Sequence, residues 1–250
     1  VLFIVAADDG PMPQTREHLA ILDLLDVSQG AVALTKVDRV EETRAVEISE
    51  EIDELFSGSS LAGIPVFPVS PITGDGVNEL KQHLIQVAVG TPPRSSEGNF
   101  RLAIDRSFNV PGSGLIVTGT VFSGKLETGD SARVMGAKMD VRVRSIHAQN
   151  TKVNFGQAGQ RCALNLAGAG LQKDQVRRGD WVIAGRLPPP TRKIDIRLRV
   201  AQTESRALAH WTPVHVHLGA SETLGRVAIL KGGEIDPGGD GLAQLVLDNP

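Results

Sequence analysis

The chain has 250 residues, a formal net charge of −3 and a single cysteine. That length predicts two domains or three small ones, and the slight negative charge excludes a global basic field for nucleic acid while allowing a local basic patch. The lone Cys162 excludes an internal disulfide, and its setting from Gln160 to Leu164 reads as a buried strand, which suits a reducing cytoplasm. No apolar run approaches the ~20 residues of a membrane span, and no signal peptide is visible.

Residues 1–93 alternate strand and helix. Apolar runs predict strands over 1–6, 30–35 and 64–69, and amphipathic patterns predict helices over 13–25, 41–56 and 77–88. Such repetition implies an α/β parallel sheet with right-handed crossovers. The first strand runs into Asp8-Asp9-Gly10-Pro11-Met12-Pro13-Gln14-Thr15-Arg16-Glu17-His18, and the second ends in Thr35-Lys36-Val37-Asp38. In the helix over 41–56, six glutamates surround Val46, Ile48, Ile52 and Leu55, which reads as a solvated acidic face.

The polar, proline-bearing stretch 91–98 marks a boundary. Beyond it the period changes to short alternating strands punctuated by glycine, over 100–107, 114–122, 130–135, 139–147, 160–166 and 180–184. These predict an antiparallel β-barrel. Leu187-Pro188-Pro189-Pro190 marks a second boundary, and strands over 193–202, 212–219, 223–231 and 242–247 begin a second barrel that stops at Pro250 before it closes. The expected domains are 1–93, 98–187 and 190–250, the last truncated. Because the chain starts at Val1 inside a strand, it is expected to be a fragment.

Several motifs carry a family resemblance. Gly10 to His18 resembles the G-P-M-P-Q-T-R-E-H segment of translational GTPases of the elongation factor Tu type, and Thr35-Lys36-Val37-Asp38 resembles their base-reading [N/T]-K-x-D tetrad. The run Phe108 to Val121, then Gly124 to Asp130, Ala158 to Arg161 and Arg178 to Trp181, follows the same family's order. Within it, Leu102 to Phe108, Arg144 to Asn150 and Thr118-Gly119-Thr120 resemble the selenocysteine-specific branch. The resemblance covers essentially the whole chain.

The resemblance implies GTP or GDP as cofactor and delivery of selenocysteyl-tRNA to the ribosome at a recoded UGA. It also implies recognition of a selenoprotein messenger-RNA hairpin through a region outside this chain. Guanine recognition maps onto Thr35, Lys36 and Asp38, and onto Ser70, Pro71 and Ile72 in the second base-contacting loop. An Asp carboxylate accepts two hydrogen bonds from the guanine N1–H and N2–H₂ edge, which adenine does not offer. Pro71 stands where the family has an alanine whose amide meets guanine O6; proline has no N–H, so Ile72 supplies the donor or the contact is lost. The aminoacyl pocket maps onto Asp105, Arg106 and Arg161. A selenol ionises more readily than a thiol or an alcohol, and two guanidiniums prefer that selenolate over serine's neutral hydroxyl. Asp105 either orients an arginine or meets the aminoacyl α-amino group.

No catalytic residue and no metal ligand is assigned. The phosphate loop, first switch and Mg²⁺ ligands would lie before Val1, so this chain is expected to be inactive alone although its parent is a GTPase. Gly119 to Lys125 approaches a phosphate-loop pattern, but Leu126 replaces the hydroxyl residue and the setting is a hairpin. His215 and His217 share one face of a strand without the further ligands a metal needs. Arg192, Lys193, Arg197, Arg199, Arg206 and Arg226 are candidate RNA-backbone contacts. Two other readings stay open: a general aminoacyl-tRNA carrier or sulfate adenylyltransferase GTPase subunit, and a non-catalytic RNA-binding or scaffolding module.

Overall fold

The structure is a computed structural model that describes residues 1–185 and 190–250, so the predicted boundary at Leu187–Pro190 lies largely outside the described residues. Two compact units form: one comprises 1–92 with 201–205 and 237–239, and the other holds 93–200, 206–236 and 240–250. Among the described residues no helix is long and apolar enough to cross a membrane.

The first unit contains β1 (Leu2–Ala6), α1 (Pro13–Leu24), β2 (Ala31–Thr35), α2 (Glu42–Phe56), β3 (Val66–Pro68) and α3 (Val77–Gly90). The strands pair in parallel in the order β1-β2-β3, with Ile4 opposite Ala33 and Ala33 opposite Phe67. The central strand is apolar throughout because Ala31, Val32, Ala33 and Leu34 are all buried. Helix α1 starts with Pro13 at its first position, where the missing N–H has no helical partner to lose. Helix α2 buries Ile48, Ile52 and Phe56, four residues apart on one stripe, and Phe56 meets Phe3 edge-on at 5.0 Å. Val46, expected among the apolar positions, is 54% exposed. The 3.6-residue period turns it away from that stripe and brings in Phe56 instead. Strand β3 is shorter than the predicted 64–69; Pro65, just before it, has no N–H to donate to the ladder.

The second unit begins with the strands β4 (Phe100–Val110), β5 (Gly114–Ser123), β6 (Lys125–Glu127), β7 (Ser131–Val134) and β8 (Met139–Ala148). They are followed by β9 (Thr151–Val153), β10 (Phe155–Gln157), β11 (Arg161–Ala167) and β12 (Trp181–Ala184). Strands β11-β5-β4-β12-β7-β8 pair in sequence and β8 returns to β11, so the six-stranded ring is closed. Alternate residues fill it, among them Leu102, Ile104, Val117, Val121, Leu126, Ile146, Leu164 and Val182. Closure removes the edges that an open sheet would expose.

Two features of the β4–β5 pair position the site. The ladder matches Ile104 with Gly119 and then Arg106 with Thr118, which leaves Asp105 as an unpaired bulge residue. At Gly119 a methyl group would sit on the Ala103 carbonyl oxygen, so only glycine lets the strands approach this closely. The remaining strands are β13 (Lys193–Arg199), β14 (Leu208–Ala209), β15 (Thr212–Leu218), β16 (Ser221–Ile229), β17 (Glu234–Ile235) and β18 (Asp240–Leu247). An antiparallel sheet runs β13-β18-β16-β15, and β14 with β17 forms a separate two-residue ribbon. Val227, Ile229, Ile235, Ala243 and Leu245 are its core.

Candidate functional site

The first group of predicted residues gathers at the carboxyl ends of the parallel strands, where open α/β sheets place their ligands. Beyond β1 come Asp8 and Asp9, beyond β2 come Lys36 and Asp38, and beyond β3 comes the Ser70 loop. Adjacent pairing of β1 with β2 and of β2 with β3 brings the three loops side by side. Lys36 has φ 60° and ψ 31°, a left-handed conformation that turns the chain into a short 3₁₀ segment, Val37–Arg39, carrying Asp38. Its Nζ donates to both carboxylate oxygens of Asp8, at 2.8 and 3.0 Å. Arg39 lies 3.2 Å from the same carboxylate. The Lys36 hydrogen bond, opposed by desolvation and helped by the Lys36 and Arg39 charges, holds Asp8 below the usual carboxylate range. The same hydrogen bond raises the Lys36 ammonium. Thr35 Oγ1 donates to the Val5 carbonyl at 3.3 Å, tying β2 back to β1.

The Ser70 loop is self-contained. Ser70 is fully buried, and its hydroxyl oxygen accepts from the Ile72 amide at 3.3 Å and the Thr73 amide at 3.2 Å. The Ile72 amide, the one donor left beside Pro71, is thus already held inside the loop by a long bond. The Ile72 side chain is 85% exposed.

The second group lies on the outer face of the closed barrel. Asp105, on its bulge, accepts from Thr118 Oγ1 at 2.6 Å and from Arg161 Nη2 at 2.9 Å through Oδ1. Its Oδ2 accepts from Arg161 Nε at 3.1 Å. Arg161 therefore grips the carboxylate with two donors, the fork geometry a guanidinium favours. Burial pushes the Asp105 carboxyl up, but the hydrogen bonds from Thr118 and Arg161, with the charges of Arg161 and Arg106, outweigh it and hold it below the usual range. Arg106 is exposed, and among the described residues no hydrogen bond or ion pair engages its guanidinium. The structure thus brings Asp105 and Arg161 into contact and leaves Arg106 open beside them.

Sequence reasoning missed two partners. Asp8 stood in a quoted run without a role, because its contact with Lys36 spans 28 residues. Thr118 marked the branch-specific Thr118-Gly119-Thr120 run but had no place in the pocket, yet it is buried and polar. The other candidates behave differently. Lys125 of the false phosphate loop pairs with Glu127 at 2.6 Å and lies 4.3 Å from the Phe155 ring centre, on a hairpin. His215 Nδ1 meets Glu222 at 2.6 Å on an exposed surface. Among the described residues no cluster of His, Cys, Asp and Glu is arranged to hold a metal. Arg197 is paired with Asp240 at 2.8 Å.

Comparison with known proteins places these features. Residues 1–89 match the family described as elongation factor Tu GTP binding domain, and 114–183 match elongation factor Tu domain 2. Residues 195–250 match the selenocysteine-specific elongation factor β-barrel domain. Over the whole chain, the selenocysteine-specific elongation factor of Escherichia coli (strain K12) is 43% identical and that of Desulfomicrobium baculatum 36%. Along its whole length this chain matches part of the selenocysteine-specific elongation factors. It spans 38% and 39% of the length of those two relatives. The fold agrees: the apo crystal structure of elongation factor SelB from Methanococcus maripaludis superimposes with TM-score 0.85 at 25% identity, covering 99% of this chain and 57% of that one. A bacterial selenocysteine-specific elongation factor gives TM-score 0.81 at 25% identity, covering 99% and 40%. That whole-chain match favours the main reading over a general carrier or a scaffold.

Proposed function

We propose that this chain is the guanine-reading and aminoacyl-reading part of a cytoplasmic translation factor that uses GTP to carry selenocysteyl-tRNA to the ribosome at recoded UGA codons. The observation that carries the reading is the Asp105–Thr118–Arg161 cluster beside the open Arg106, in a chain collinear with selenocysteine-specific factors. We also propose the division into a nucleotide part (1–93), an aminoacyl barrel (98–187) and a second barrel (190–250).

In this reading Asp38 accepts the guanine N1–H and N2–H₂ donors, and the Lys36 stem lies along the base. Thr35 braces the strand from which both emerge, and the loop of Ser70, Pro71 and Ile72 closes the other side of the base. The residues present fit a guanine: they offer a carboxylate acceptor and a cation whose position is fixed by Asp8. Mg²⁺ and the phosphates would be held elsewhere; no residue here is assigned to them.

At the pocket, one carboxylate and two guanidiniums leave a net positive charge. That charge favours an anionic selenolate over a neutral serine hydroxyl. A hydrogen bond to a charged group is worth roughly 1.5–3 kcal/mol, or about ten- to a hundredfold in affinity. Filter binding of selenocysteyl-tRNA to the full-length protein tests the carrier role. Retention in GTP that is lost in GDP and absent with ATP supports it; retention indifferent to the nucleotide removes it.

A further inference from the structure

The geometry points to Thr118 as a specificity-positioning residue of the aminoacyl pocket: its hydroxyl seats Asp105, and Asp105 in turn fixes Arg161. The inference rests on the pocket reading above and goes one residue deeper. Three observations carry it. First, Asp105 is a bulge residue with no cross-strand partner in β5, so the ladder does not set its side-chain direction. Second, Thr118 is 9% exposed, and only it and Ser70 are buried polar residues among those described. A buried hydroxyl must be satisfied, and this one spends its single proton on Asp105 Oδ1 at 2.6 Å. Third, the same oxygen accepts from Arg161 Nη2 at 3.3 Å, so it touches both members of the ion pair.

The consequence is a division of labour between the two guanidiniums. Arg161 commits its Nε and Nη2 to Asp105, and among the described residues its Nη1 has no hydrogen-bond partner. Arg106, paired in register with Thr118 itself, keeps its whole donor set for the ligand. With the hydroxyl removed, Asp105 keeps its charge but loses the donor that fixes its angle. Arg161, 56% exposed, then follows a mobile carboxylate into solvent and no longer presents Nη1 to one place.

Valine is the shape of threonine without the hydroxyl, so Thr118→Val isolates the effect. The readout is the affinity ratio between selenocysteyl-tRNA and seryl-tRNA on one tRNA body, bound to the full-length protein in GTP. Thr118→Val is expected to lower that ratio about tenfold, the size of one lost hydrogen bond to a charged group. Thr118→Ser restores it, and Thr118→Ala, which cannot overfill the site, matches Val. In an Asp105→Asn background, Thr118→Val lowers the ratio no further. The inference is overturned if Val keeps the ratio while Arg161→Ala abolishes it. If Arg161→Ala also leaves the ratio intact, the pocket reading itself fails and takes the Thr118 assignment with it.

Discussion

At Lys36, backbone and side chain pull in different directions. Its left-handed φ costs a non-glycine residue roughly 1–2 kcal/mol, while its ammonium lies on Asp8 in an exposed pair that returns little. In Lys36→Gly the relief of backbone strain and the loss of the pair oppose each other, so unfolding stability is expected to change little. The same change should weaken GDP binding by the full-length protein, read by displacement of a fluorescent GDP analogue. A stable variant with unchanged GDP affinity would remove Lys36 from the base site. The pH dependence belongs to the barrel pair. Asp105 has a folded-state pKa below its unfolded one, so its stabilising contribution is full above the usual carboxylate range and is lost as pH falls through the folded value. Asp105→Asn should thus cost up to about 1 kcal/mol at pH 7 and nothing at low pH, read as urea midpoints across the range. A gap that persists or widens in acid would contradict the ion-pair account. Neither Asp8 nor Thr118 was legible as a site residue in the sequence. One acts across a long loop, and the other acts through a hydroxyl whose neighbours only the strand register supplies.

Among the elements, the strand and helix runs were legible because burial follows period. The apolar run of β2 and the alternation of β5 and β8 say which faces are covered. What resisted reading depends on pairing partners distant in sequence. The bulge at Asp105 exists only because β4 and β5 slip by one residue between Ile104 and Arg106. The two-residue ribbon of β14 and β17 is too short to show a period. Glycine positions test the element packing. Gly119→Ala places a methyl against the Ala103 carbonyl in the middle of the ring, where overpacking costs about 1–3 kcal/mol. Gly112→Ala, at a hairpin turn with φ +78° and open space around it, meets only backbone strain of roughly 1 kcal/mol. Thermal melts of the two variants should order them so; a Gly119→Ala protein as stable as the parent would mean the β4–β5 approach is looser than described.

Across the whole molecule, the barrel ring and the parallel sheet differ in how they end. The barrel ring has no free edge, whereas the parallel sheet has three short strands and leaves β1 at its border, with Ile4 62% exposed. Native-state hydrogen exchange on this chain should show residues 2–35 exchanging faster than 100–167; uniform protection would contradict that ranking. The most direct test of function concerns the two arginines. In the full-length protein with GTP, hydrolysis of the aminoacyl ester is followed for selenocysteyl-tRNA and seryl-tRNA sharing one tRNA body. The expected result is selective protection of selenocysteine that is lost in Arg106→Ala and in Arg161→Ala. Equal protection of both esters, or protection untouched by either substitution, would contradict the pocket assigned to Asp105, Arg106 and Arg161.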